Sequence, residues 1–452
     1  METTAEQHDD HALSRMPAHR RHHWFSLAVQ RFGMLSSLAS FLIGATLGFG
    51  MNFWDAVLAI TFGAVVLEIV TVFTGIAGQR EGLSTSVLAR WTGFGRAGSS
   101  LIGLAISISA LGWFGIQNAV SAQGLVSLVG VLPMWAWALV FGLAVTAIVM
   151  LGIGSMAWTA YLTVPAFLAL AGWSIVSELS RHSLGDLIHA APAGPQLSLL
   201  QGTSIVAGGF IVGAVITPDM SRFNRTPGDV VRQTVIGISL GEYVIGLIGV
   251  LLALALRTND VVAIVTSTSG FLGTLVIIAA TLKINDWNLY AASLGIVNFV
   301  DQAFGRRVHR TAVTLAAGVL GSVLGAAGIL DRFTDFLVLL GVIFPPIAGI
   351  MVAEYFIART WRPELDASRE RGTLPDTAPT WVPAALAVWA CASLFGHFVD
   401  WGLPSVNSVA VAMLLYTAAA RLGLVRGAGR SATPLPPTTT GTTANPDRPA
   451  AR

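Results

Sequence analysis

Long apolar runs separated by short polar stretches recur from Arg31 almost to the C-terminus. A bilayer-spanning helix needs about 20 mainly apolar residues. Segments 32–51, 54–78, 100–129, 133–152, 157–178, 199–217, 233–256, 269–299, 311–330, 333–357, 381–399 and 405–424 meet that requirement. The runs are continuous and punctuated by glycine, so they read as helices; barrel strands would alternate in short segments. The expected fold is an all-α polytopic membrane protein of about twelve spans.

Two spans carry small polar or glycine clusters near mid-depth. The first, "RFGMLSSLASFLIGATLGFG", has Ser36, Ser37 and Ser40, and the sixth, "SIVAGGFIVGAVITPD", has Gly208, Gly209 and Gly213. Matching interruptions in two halves of a chain point to a transporter site built from unwound backbone. They equally suit helices that only pack closely. A five-span repeat of opposite topology places the first half at 31–178 and the second at 199–357, with two further spans at 381–424. The polar head 1–30 and the Pro/Thr-rich tail 425–452 flank this body, the tail expected to be disordered.

Charge supplies the orientation. With the N-terminus in the cytoplasm, 22 of the 26 lysine and arginine residues fall on the cytoplasmic side. Only Arg181, Arg257 and Arg332 fall outside, and Lys283 lies within a span. That asymmetry follows the positive-inside rule and places both termini in the cytoplasm, with the chain in the cytoplasmic membrane. The composition agrees: 11% of residues are charged and 54% hydrophobic, against about 25% charged in soluble domains. A net charge of +2 without Lys/Arg-rich runs excludes a nucleic-acid surface. The single cysteine, Cys391, excludes an internal disulfide. The chain has no metal-ligand spacing, nucleophile elbow or Walker motif, so neither an enzyme, a cofactor nor direct use of ATP is expected.

Lys283 is the only lysine of the chain. A charge at mid-membrane is costly and needs a purpose or a partner. Lysine can become neutral where arginine cannot, which suits a proton-linked step; Asp286, one turn on, offers a structural ion pair instead. Helical spacing puts Lys283, Asp286, Trp287 and Tyr290 on one stripe, and Thr281, Asn285, Asn288 and Ala292 on another. A helix polar on both sides belongs inside the bundle. In span three, Trp113 and Gln117 share a face and offer a flat π surface beside an amide, suited to a planar heteroaromatic solute. Phe210, within the glycine cluster of span six, can cover the opposite ring face. Glu68, Glu242, Asp219 and Arg222 have no assigned role.

The stretches "TLGFG…WDA", "GLSTSVLARWTGFG…GS", "GWFGIQNA", "ITPDMSRFNR", "INDWNLYAASLGIVN" and "FPPIAGIMVAEY" resemble the nucleobase:cation symporter-1 family, especially its cytosine permease branch. The resemblance runs from span one through span ten. It implies twelve helices, the first ten forming two inverted five-helix repeats of the sodium-symporter type. It also implies that Trp113 stacks on the base, with Phe210 on its other side. Departures accompany it: cytosine carriers have amides where this chain has Ala110 and Ala280. Lys283 and Ile284 stand where two adjacent hydroxyl residues help hold sodium. Asn288 falls where fungal purine-cytosine carriers have an asparagine.

The expected function is therefore secondary active import of a nucleobase or related planar heterocycle by alternating access. Solute-binding candidates are Trp113, Phe210, Gln117, Gly209, Ser40 and Trp287. Lys283, Asp286 and Ser37 form the candidate coupling site, supported by Asn285 and Asn288. Coupling to protons, or to no ion, is expected over coupling to sodium. The alternatives are an amino-acid or amine carrier on the same fold and a protein carrying a lysine-linked chromophore.

Overall fold

The computed structural model describes residues 14–151 and 157–432. Helices dominate: α1 (Trp24–Leu35), α2 (Leu38–Gly50), α3 (Phe53–Glu81), α4 (Gly95–Val129), α5 (Met134–Leu151), α6 (Ala157–Leu179), α7 (Leu199–Val215), α8 (Pro227–Leu256), α9 (Val261–Phe304), α10 (Arg310–Ala326), α11 (Phe333–Ile343), α12 (Pro345–Val352), α13 (Arg362–Glu370), α14 (Pro383–Phe398) and α15 (Pro404–Arg421). Each of the twelve expected spans coincides with one of these helices or with a broken pair. Five segments are individually long and apolar enough to cross a membrane, and the bent pair α1–α2 makes a sixth.

Local chemistry sets many of the boundaries. Asn52 caps α3 by accepting from the Asp55 N–H. Reciprocal capping boxes start α7 (Ser198 with Gln201) and α8 (Thr226 with Asp229), the latter with Pro227 in the first turn; each satisfies backbone donors that a helix start leaves open. Within α9, Gly270 adopts φ 59° and ψ −146°, a kink that a side chain would resist. The kink falls one residue inside the expected span 269–299.

The first expected interruption is present. Ser36 and Ser37 separate α1 from α2, and the two helices meet at 59°. The sixth span is a correction. Its helix runs unbroken from Leu199 through Gly208, Gly209 and Gly213 to Val215, and departs only at Ile216–Thr217, ahead of Pro218. The glycines serve contact instead: a Cβ at Gly208 would strike the Leu337 carbonyl, and one at Gly209 would strike the Ile43 side chain. Two further corrections concern the ends. The first helix begins at Trp24, and Met16, ahead of it, is already buried. Within the tail expected to be disordered, Ala428–Ala432 forms a strand (β2) antiparallel to Thr377–Trp381 (β1); residues 433–452 lie outside the described residues.

The end carrying the arginine-rich loops is tied together by one carboxylate. Glu81, fully buried, accepts from Arg15 (2.8 Å), Arg369 (2.6 Å) and the Tyr355 hydroxyl (2.7 Å). Arg15 also donates to the carbonyls of Thr373 and Leu365 and to Ser368 Oγ. The N-terminal strap therefore joins α3 to α13. Arg21 and His22 continue it onto the loop after α7, where His22 N–H donates to the Phe223 carbonyl at 2.7 Å.

The helix pair α2 and α8 packs backbone to backbone. A Cβ at Gly44 would fall on the Gly246 carbonyl, and one at Gly249 would lie 2.6 Å from the Phe41 carbonyl. Gly33, on the exposed side of α1, meets nothing within 4 Å. Gly44→Ala is expected to lower the thermal midpoint in detergent through overpacking costing about 1–3 kcal/mol or more. Gly33→Ala should leave it unchanged or raise it, by up to about 1 kcal/mol. Equal midpoints for the two variants would contradict this packing.

Candidate functional site

Trp113 lies midway along α4, where two large core clusters meet. Its ring makes T-shaped contacts with Phe336 (centroids 5.5 Å, 83°) and Phe333 (6.0 Å, 70°), both on α11. Phe210, half-buried on α7, packs against one of these clusters but makes no ring contact with Trp113. The aromatic rings in contact with Trp113 are supplied by α11. Those two phenylalanines were missed in the sequence. The only available signal is their spacing, i and i+3 in "FTDF", which puts them on one face.

Beside Phe333 lies a cavity of about 380 Å³, lined by Leu42 and Thr46 of α2, Val120 and Gln123 of α4, Asn259 to Val261, and Leu330, Asp331, Phe333 and Thr334. It is at the end of the bundle opposite the arginine-rich loops. Phe333 separates it from Trp113. Gln117 sits between these levels on the same α4 face as Trp113 and Val120. It is 2% exposed and its Oε1 has no hydrogen-bond partner. A buried amide oxygen left open is costly, and a donor-bearing solute would satisfy it. Its neighbour Asn118 is a brace: Nδ2 donates to the Ala138 carbonyl at 2.8 Å.

The α9 stripes are now assigned. Thr281, Asn285 and Ala292 are fully buried. Asn285 Nδ2 donates to the Phe114 carbonyl at 3.1 Å, and Thr281 shares a hydrogen bond with Ser121. This face locks α9 onto α4. Asn288 donates to Asn285 Oδ1 (3.4 Å) and extends the same network. Lys283 Nζ lies 3.3 Å from Asp286 Oδ2, with the lysine partly and the aspartate fully buried. Trp287, expected to contact solute, is 63% exposed and stacks on Tyr290. The structure sets it apart from Trp113 because the opposite stripe is the one that packs inward.

Ser40 is buried in the first turns of α2, and Ser37 is the cap residue of that helix without a side-chain cap bond. Gly209 meets α2 at Ile43. These three therefore gather at the α1–α2 break and its α7 contact, while Lys283 and Asp286 sit on α9. Ala110 and Ala280 are both buried in apolar clusters. Among the described residues no cluster of three or more His, Cys, Asp or Glu is placed to hold a metal.

The chain as a whole has counterparts among known proteins. The sequence pattern described as "permease for cytosine/purines, uracil, thiamine, allantoin" matches residues 16–423. The chain belongs to this permease family. It is 28% identical to the cytosine permease of Escherichia coli K12 over 411 residues, covering 91% of this chain and 94% of that protein. It is also 28% identical to the hydantoin permease of Microbacterium maritypicum, covering 88% and 85% of the two chains. Among solved structures it resembles the inward-facing conformation of Mhp1 (TM-score 0.77, 22% identity, 91% and 93% covered). It also resembles a sodium-coupled sialic acid symporter (TM-score 0.59, 13% identity, 91% and 92% covered). The protein is a multi-pass membrane transporter of the sodium-symporter-like fold and not an enzyme, and the lysine-linked chromophore reading falls away.

Trp113→Ala tests the stacking surface. Base–aromatic stacking is worth about 1–3 kcal/mol per base, so solute affinity should fall roughly tenfold to a hundredfold in protein that still folds and purifies. Unchanged affinity in an equilibrium binding assay would remove Trp113 from the site.

Proposed function

We propose that this permease moves a planar, nucleobase-like heterocycle across the cytoplasmic membrane by alternating access, with both termini in the cytoplasm. The observation that carries the reading is the α4 face. Trp113 offers a ring surface and Gln117 a buried acceptor without a partner, on the helix face that continues to the cavity-lining Val120. Relatives described as cytosine and hydantoin permeases support the solute class. In this mechanism the solute enters by the cavity, and Phe333 and Phe336 withdraw from the indole. The solute ring then stacks on the indole they have left. Stacking supplies affinity with little preference among rings, and Gln117 selects for an N–H edge. Ser40 and Gly209 flank the solute at the α1–α2 break.

The coupling site in this reading is the Lys283–Asp286 pair. Asp286 already has a cation 3.3 Å away, so this turn of α9 carries no spare negative charge for sodium. Transport is then independent of sodium, with a proton on Lys283 or no ion as the coupling species. Ser37, at the break, is the α2 residue assigned to the coupling site. Asn285 and Asn288 hold α9 against α4 while these contacts change.

Two outcomes check the proposal. Ala110 and Ala280 offer no amide to a cytosine edge, and an unsatisfied polar group costs about 1–3 kcal/mol. Cytosine should accordingly be outcompeted by at least one purine, hydantoin or methylated pyrimidine; a series in which cytosine binds tightest contradicts this. In proteoliposomes at fixed pH and clamped potential, an imposed sodium gradient should not raise uptake. Lys283→Arg should fail as badly as Lys283→Ala in proton-driven uptake, because arginine keeps its charge. Sodium-stimulated uptake would refute the role given to Lys283.

A further inference from the structure

A second cavity, of about 260 Å³, opens at the end of the bundle that carries the arginine-rich loops, between α1, the end of α7 and the segment that follows it. Arg31 of α1 lines it and is 1% exposed. Its Nε donates to Gln233 Oε1 (3.1 Å) and its Nη2 to Thr217 Oγ1 (3.3 Å), both neutral oxygens. Nη1 has no acceptor among the described residues, and no carboxylate pairs with the guanidinium. Asp219 also lines the cavity, but it accepts from the Thr85 N–H at 2.7 Å. Burial pushes the Asp219 carboxyl above its usual range, against the pull of that hydrogen bond and of Arg222, which weakens it further as a counter-charge.

Arginine cannot escape its burial by losing a proton. A buried charge without an opposite partner is costly, and neutral acceptors compensate it only in part. A neutral solute would add only more carbonyl oxygens of the kind Gln233 already supplies. We infer that this cavity is an anion-binding site, in which the free Nη1 of Arg31 holds a small monovalent anion. Two sources share that chemistry: a free halide, or the ring anion of a deprotonated heterocycle leaving the protein. The cavity is not lined by Trp113; the halide source is independent of the transported solute, and the ring-anion source rests on the heterocycle transport proposed above.

The test compares chloride with gluconate at constant ionic strength, pH and sodium concentration. Ligand binding to the native state raises apparent stability by mass action. The thermal midpoint of the unmodified protein should therefore rise saturably with chloride and stay flat in gluconate. Arg31→Gln should abolish the rise, whereas Trp113→Ala should retain it. In bromide-soaked crystals of the unmodified protein, an anomalous peak should lie beside Nη1; this second readout stands even where Arg31→Gln fails to fold. Adding a heterocycle above its ring pKa separates the sources: displacement of bromide identifies the ring anion, and persistence identifies the halide. Equal midpoints in chloride and gluconate together with no bromide peak beside Arg31 would overturn the assignment.

Discussion

A helix that stops inside a bilayer must satisfy its freed backbone groups within the protein, because lipid offers no hydrogen bonds. The break between α1 and α2 meets this constraint locally. Ser36 N–H donates to the Phe32 carbonyl and Ser37 N–H to the Leu35 carbonyl, both at 2.8 Å, and the Ser37 carbonyl accepts from Phe41 (3.2 Å). Both sides of the break also pack closely against α8. Gly237 faces Ala28 and Arg31 of α1, Gly241 faces Leu35, and Gly249 faces Phe41 of α2. One glycine-bearing helix thus seats both halves of the broken span. The 59° turn aims α2 at the cavity beside Phe333 and leaves Arg31 of α1 over the cavity at the other end.

That arrangement explains why the middle of the molecule is both polar and well packed. The contacts of α4 with α9 and α5 spend polar side chains on structure: Asn285 on the Phe114 carbonyl and Thr281 on Ser121 join α4 to α9, and Asn118 on the Ala138 carbonyl joins α4 to α5. Two amide oxygens of α4, Gln117 Oε1 and Asn118 Oδ1, are left without partners, and Gln117 is the one that shares a face with Trp113. The same logic applies to charge. Lys283 and Asp286 neutralise one another within a turn, and Glu81 gathers two arginines and a tyrosine into a cap at the arginine-rich end.

Much of this was legible in the sequence, and the failures have physical causes. Span positions follow from the length of apolar runs, which the bilayer dictates, and the Lys283–Asp286 pair follows from i, i+3 spacing. The Ser36–Ser37 break was legible because adjacent hydroxyls in an apolar run are hard to place otherwise. Gly208, Gly209 and Gly213 misled because glycine reads identically whether it breaks a helix or lets a neighbour approach, and here Leu337 and Ile43 are the neighbours. Trp287 misled because spacing says which residues share a face, not what that face meets. Phe333 and Phe336 reach Trp113 across more than two hundred residues of chain, a contact no local pattern encodes. The N-terminal strap escaped notice for the same reason, since His22 meets Phe223 only in the folded protein.

The central claim is that a flat ring replaces Phe333 and Phe336 against Trp113. A structure of the protein in complex with a transported heterocycle, determined by electron cryo-microscopy or crystallography, tests it most directly. The account predicts the ring offset-stacked on the indole, with centroids about 4.5–7 Å apart. One of its N–H groups should donate to Gln117 Oε1, and Phe336 should have moved away from Trp113. A bound heterocycle located elsewhere, with the Trp113–Phe336 contact intact and Gln117 Oε1 still without a donor, would contradict it.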